Sequence, residues 1–100
     1  MHSDHHFKIN DEKWLWRYSS LRGKASGWTE YVKKKILIDR SLKNRPRLET
    51  EIHEAIHATL GPIVSEESVT DAAKDISKIL WSLGYRLNKP EKDNRGESKE

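Results

Sequence analysis

Cysteine is absent from this 100-residue chain. Disulfides are therefore excluded, and any metal site has to be assembled from His, Asp and Glu. Long apolar runs are missing too: no stretch approaches the ~18 consecutive residues that suggest a membrane span. The first residues lack the basic-then-apolar order of a secretory signal, so the expected setting is the cytoplasm, with no membrane partner. Charge of one sign is in short supply as well. Lys and Arg number 19 against 16 Asp and Glu, a net charge of +3. That is mild basicity and not the dense positive footprint of a nucleic-acid binder. No segment repeats.

One hundred residues make one domain. Apolar residues reach only 34%, because polar ends dilute a richer stretch from Trp14 to Leu87. A chain this short buries a modest fraction of its surface, so a bound metal would add appreciably to its stability. Residues 1–6, with His2, His5 and His6, read as a flexible start. Residues 7–87 form the domain. Residues 88–100 are charged, lack any large apolar side chain, and read as a disordered tail.

Within the domain, Phe7 to Asn10 predicts a short strand, and Lys13 to Tyr18 a longer one rich in aromatics, with Trp14, Trp16 and Tyr18 on one face. Leu21 to Gly27 is turn-like. Extended character resumes over Trp28 to Tyr31, and Lys35 to Asp39 is the strongest strand pattern in the chain. Lys33, Lys34 and Lys35 read as a solvated turn guarding a sheet edge. Pro46 separates these strands from a helix over Arg47 to Leu60, which Gly61-Pro62 ends. Ser65 caps a second helix, with Glu66 and Glu67 in its first turn. That helix runs to Leu83 on a buried face of Val69, Ala72, Ala73, Ile76, Ile79, Leu80 and Leu83, and Gly84 stops it. The expected fold class is α+β: about three antiparallel strands packed on two main helices.

The first helix carries His53-Glu54-Ala55-Ile56-His57. Residues i and i+4 lie one turn apart on one helix face, so two imidazoles at that spacing can grip one ion. The intervening Glu54 stands where a general base is needed to take a proton from a metal-activated water. Both histidines border the apolar stripe of Leu48, Ile52 and Ile56. A catalytic zinc site has three protein ligands and one open position. Bound zinc brings the pKa of its water toward ~7 and polarises a carbonyl. With no cysteine, the third ligand is expected to be a carboxylate of the following helix. Glu67 ranks first and Asp71 or Asp75 are alternatives; a remaining acid is left to hydrogen-bond a ligand imidazole. Glu67 lies well off the Val69/Ala72/Ile76 face, which Asp75 flanks more closely.

With these residues in place, the chain resembles the zincin metallopeptidases, particularly the gluzincin-like branch and small phage and bacterial proteins of that type. The resemblance covers Gly27 to Arg86. It is carried by Lys35-Ile36-Leu37-Ile38-Asp39, by Leu48 to Ala58 with the motif, by Glu66-Glu67-Ser68-Val69, and by Ala73 to Ile76 with Leu80 to Arg86. It implies a minimal zincin-like fold, a Zn2+ cofactor and hydrolysis of an amide in an extended polypeptide. It also implies that the strand before the motif helix is a sheet edge, so that Ile36, Leu37 and Ile38 would pair with substrate backbone. The chain departs from the larger peptidases in having no further subdomain to wall the cleft. Tyr85 is a candidate oxyanion donor, although a tyrosine after a helix-ending glycine usually packs.

Two other classes compete. One is a catalytically inactive zincin-fold binding module with a structural metal. The other is nucleic-acid binding through Trp14, Trp16, Tyr18 and Trp28 beside Arg17, Arg22 and Lys24, which core packing of the tryptophans makes the weaker reading. Oligomeric state is left open by the sequence.

Overall fold

The computed structural model describes residues 3–21, 23 and 25–87. His2, Arg22, Lys24 and the tail expected over 88–100 lie outside the described residues. In chain order the elements are β1 (Ser3–Ile9), β2 (Glu12–Ser19), β3 (Gly27–Glu30), β4 (Lys35–Asp39), α1 (Asn44–Leu60) and α2 (Glu66–Ser82). The class is α+β, with four strands rather than three.

The extra length comes from the first hairpin. Asn10 and Asp11 join β1 to β2 at φ 53° and 65°, the left-handed pair that a two-residue type I′ turn requires and that these two residue types tolerate best. That turn sets the register, and β1 then zips along β2 from Ile9 opposite Glu12 back to Ser3 opposite Tyr18. His5 and His6 therefore belong to a paired strand and not to a flexible start. Aromatic contacts support the pairing: Phe7 meets Trp16 edge-on at 5.8 Å, and His5 stacks near Phe7. Asn10 Nδ2 also donates to the Thr59 carbonyl at 3.1 Å, tying the turn to the end of α1.

The sheet is mixed, in the order β1-β2-β4-β3. β3 and β4 form an antiparallel hairpin, but β4 lies parallel to β2. After β2 the chain swings out by one strand's width, lays down β3, and returns β4 into the gap. This overturns the expectation that Lys35 to Asp39 is an edge. β4 is bonded on both sides, and Ile36 and Ile38 are completely buried. The backbone of Ile36, Leu37 and Ile38 is thus unavailable to a substrate. The edges are β1 and β3.

One face of the sheet carries Trp14, Ile36 and Ile38, which form the core with Ala58 of α1, flanked by Ile9, Trp16, Tyr18, Tyr31 and Leu42. α1 starts three residues before the expected Arg47, with Pro46 inside its first turn, where the missing N–H costs nothing. α2 returns antiparallel to α1, its Ser65 cap accepting from the Ser68 N–H at 3.1 Å. Its end is a Schellman closure: the Gly84 N–H bonds the Trp81 carbonyl and the Tyr85 N–H the Leu80 carbonyl, with Gly84 at φ 97°.

The face of α2 that packs matches the expected one at Val69 and Ala73 but is rotated away from its larger aliphatics. Val69, Ala73 and Ser77 are buried, whereas Ile76, Ile79 and Leu83 remain exposed. No helix of the described residues is long and apolar enough to cross a membrane.

Candidate metal centre

His53 and His57 lie one turn apart near the end of α1, their ring centroids 4.9 Å apart. Both present Nε2 to the first residue of α2. Glu66 places Oε1 2.8 Å from His57 Nε2 and Oε2 3.0 Å from His53 Nε2. Two caps hold this junction. The Gly61 N–H closes on the His57 carbonyl at 2.8 Å, and Ser65 caps α2 so that Glu66 occupies its first position. His53, His57 and Glu66 are the one group of metal-type donors drawn together among the described residues, with ligand atoms within 4.8 Å of one another.

The carboxylate that completes this group is Glu66. Glu67, Asp71 and Asp75 are exposed and lie outside the group. The reason is rotational: neighbouring residues on a helix point ~100° apart. Glu66 heads the inward stripe that continues through Val69, Ala73 and Ser77 at spacings of three, four and four, and Glu67 is turned off it. That stripe is the available sequence signal, partly obscured because Ile76, Ile79 and Leu83 mark a face rotated from it.

The donor set fits a divalent metal. Two imidazole nitrogens and one carboxylate oxygen are the ligands of a His2Glu catalytic zinc site. Bonds of 2.0–2.1 Å at tetrahedral angles separate ligand atoms by roughly 3.3 Å. The observed N···O gaps are slightly shorter, and the Glu66 side chain, 70% exposed, has room to widen them. The histidine side chains are mostly covered, at 19% and 15% exposure.

Glu54 points from the same helix toward β3 and is only 7% exposed. Burying a carboxylate is costly unless it is hydrogen-bonded. Thr29 provides a partner, its hydroxyl 2.6 Å from Glu54 Oε1 and 3.2 Å from the Glu54 carbonyl. Gly27 makes the approach possible: a Cβ there would stand 2.8 Å from Glu54 Cγ and 2.9 Å from Oε2. A small open cavity of about 260 Å³ joins Glu54 to His53, His57 and Glu66.

Tyr31 lines the same cavity. Burial pushes its phenol pKa up, and the Glu54 and Glu66 carboxylates push it further, so it stays a neutral hydrogen-bond donor. Gly27, Thr29 and Tyr31 alternate along the chain, and that two-residue period is the signal that would have placed them together. Tyr85, a candidate oxyanion donor for which packing is the expected role, lies elsewhere, beside Trp81 and Arg86 at the opposite end of the helix pair.

Of the described aromatic and basic residues considered for nucleic acid, Trp14 and Arg17 do not share a surface. Trp14 is buried in the core. Arg17 falls on the other face of β2 from Trp16 and Tyr18, where it forms a two-bond pair with Asp4 at 2.8 and 2.9 Å. Tyr18 donates to Glu51 Oε2 at 2.5 Å, and Arg47 Nε reaches the same oxygen at 2.9 Å. Burial, and then the Glu51 hydrogen bond, raise the Tyr18 pKa. Burial disfavours charge on Arg47, but hydrogen bonds to Tyr18 and Glu51 outweigh it and raise its pKa.

Comparison with protein-family models, with curated proteins and with solved structures returns no match to this chain, so the resemblance to zincins rests on the residues themselves.

Proposed function

We propose that the chain is a zinc-dependent peptidase or amidase acting on an extended polypeptide. The observation that carries this reading is a buried carboxylate, Glu54, opening into the same cavity as the His53, His57 and Glu66 donors. A carboxylate held by one hydroxyl and open to the donor cavity is placed to accept a proton from a water bound there.

His53, His57 and Glu66 would hold the ion. When bound, it supplies Lewis acidity, acidifying a water and polarising a carbonyl. The chain's own residues do the rest. Thr29 engages Glu54 Oε1 and fixes the carboxylate, leaving Oε2 to take the proton from the attacking water and deliver it to the departing nitrogen. Tyr31, held neutral, donates toward the developing negative charge on the carbonyl oxygen. The free edge of β3 takes over the role first assigned to Ile36, Leu37 and Ile38: it is the strand beside Glu54, and its outer backbone groups suit pairing with an extended peptide.

Two measurements test this. Elemental analysis should find one zinc per chain, lost in His53→Ala. A peptide mixture incubated with the zinc-loaded protein and read by mass spectrometry should show cleavage that Glu54→Gln abolishes while zinc content is kept. Cleavage that survives Glu54→Gln overturns the proton-acceptor role. Full zinc content without any cleavage in the unsubstituted protein favours a structural metal in a binding module instead.

A further inference from the structure

A larger cavity than the one at the candidate metal centre lies away from it. It measures about 580 Å³ and opens between the start of α1 and the end of α2, within the roughly 300–1,000 Å³ typical of small-ligand sites. Four cationic side chains line it, Arg40, Lys43, Arg47 and Arg86, against one carboxylate, Glu51. That carboxylate is already taken by the Tyr18 hydroxyl and by Arg47 Nε. Lys43 forms no ion pair with a described residue. The first turn of α1 contains no acid to offset the helix dipole, which adds positive potential at the same end. Like charges gathered at one cavity repel one another, and an anion relieves that repulsion.

The walls between the cations are flat or apolar. The Arg86 guanidinium lies over the Trp81 ring, 3.5 Å from its centroid. Tyr85 is 62% exposed beside it, and Leu48 lines the same space. A bare inorganic anion would leave these surfaces unused, and so would an acidic peptide. The chain's own residues 88–100 offer no complement either, carrying four acids and four bases.

We propose that this cavity binds a nucleotide, free or as a unit of a single strand. Lys43 faces the phosphate, and the ring rests on Tyr85 and on the Arg86 guanidinium, which Trp81 and the Trp81 and Tyr85 carbonyls hold in place. Positive charge concentrated in one cavity is compatible with a chain that is only mildly basic overall. This reading is independent of the metal centre at the other end of α1.

The test is titration calorimetry with ATP and with inorganic phosphate, and fluorescence anisotropy with a labelled oligothymidylate, all at low salt. Lys43→Glu and Arg86→Glu should each weaken binding about tenfold or more, the scale of one charge-assisted contact. Lys33→Glu, on the exposed β3–β4 turn, makes the same charge change and should weaken binding less than about twofold. Melting curves check that each variant folds, and Lys43→Ala replaces Lys43→Glu if the reversal does not. ATP bound without the oligonucleotide assigns a free nucleotide; oligonucleotide binding that falls steeply with salt assigns a single strand. The proposal is overturned if no probe binds, if phosphate alone binds as tightly as ATP, if Lys33→Glu costs as much as Lys43→Glu, or if polyglutamate displaces both nucleotide probes.

Discussion

Glu66 and Glu67 are neighbours, both acidic and both exposed, and only their position on the helix distinguishes them. Changing either to Gln alters net charge identically, so the pair isolates geometry from electrostatics. Without metal, Glu66→Gln should cost little. Its contacts to His53 and His57 come from a side chain 70% exposed, and ion pairs of that kind contribute about 0–1 kcal/mol. With zinc the two variants should separate. At a free concentration a hundredfold above Kd, an ion that binds only the folded state stabilises it by ~2.7 kcal/mol. For a domain of this size each kcal/mol raises the melting temperature by about 4–8 °C, so the native chain should gain roughly 10–20 °C. Losing a direct ligand weakens binding by at least the ~100-fold that loss of an outer partner can cost. At the same zinc concentration the gain in Glu66→Gln then shrinks to about 3 °C or less. Glu67→Gln keeps the full gain. The assay is differential scanning fluorimetry of chelator-stripped protein in zinc-buffered solution. A chain that loses its zinc response through Glu67 and keeps it without Glu66 would refute the register argument, and a native chain with no response would refute the centre itself.

Gly27→Ala forces a Cβ to within 3 Å of Glu54 and Thr50; urea unfolding should show a loss of about 1–3 kcal/mol, the usual cost of overpacking. Thr29→Val removes the hydroxyl from a buried carboxylate and should cost about 1–3 kcal/mol by the same measurement, with Thr29→Ser restoring most of it. The raised Tyr18 pKa means the fold favours the neutral phenol. Its contribution is complete below the unfolded pKa of ~10 and is lost as pH climbs through the higher folded value. Melting temperatures followed from about pH 9 to 11 should therefore fall more steeply for the native chain than for Tyr18→Phe.

What the sequence disclosed, and what it hid, divides along the range of the interactions involved. Ser65 as a cap, Gly61 and Gly84 as stops, and the apolar pattern of Ile36 and Ile38 are decided by a few neighbouring residues, and each was readable. β1 was underestimated because Ser3 to His6 are polar; their strand character comes from the Asn10-Asp11 turn, which delivers them opposite an aromatic strand. The placement of β4 between β2 and β3 is a long-range fact. A strand with two bonded neighbours and one buried face reads in sequence like a strand with one neighbour, so the pattern of Lys35 to Asp39 does not tell an edge from an interior strand.

The centre repeats that division at smaller scale. The spacing of His53, Glu54 and His57 is a property of one helix, legible as soon as the helix is recognised. Glu66 depends on a second helix and on which side of it packs. There, hydrophobicity was a partial guide: Val69 and Ala73 pack inward as the pattern indicates, joined by Ser77, while Ile76, Ile79 and Leu83 point outward. Rotation decides this, because the stripe that brings Glu66 against His53 and His57 continues through Val69, Ala73 and Ser77 and leaves Ile76, Ile79 and Leu83 on the outer side. A close contact likewise explains β3. A strand that has to seat a buried Glu54 can carry neither a Cβ at position 27 nor a purely apolar side chain at position 29. Gly27 and Thr29 therefore look like ordinary turn and strand residues in isolation, and their identities become intelligible only once the helix that presses against them is in place.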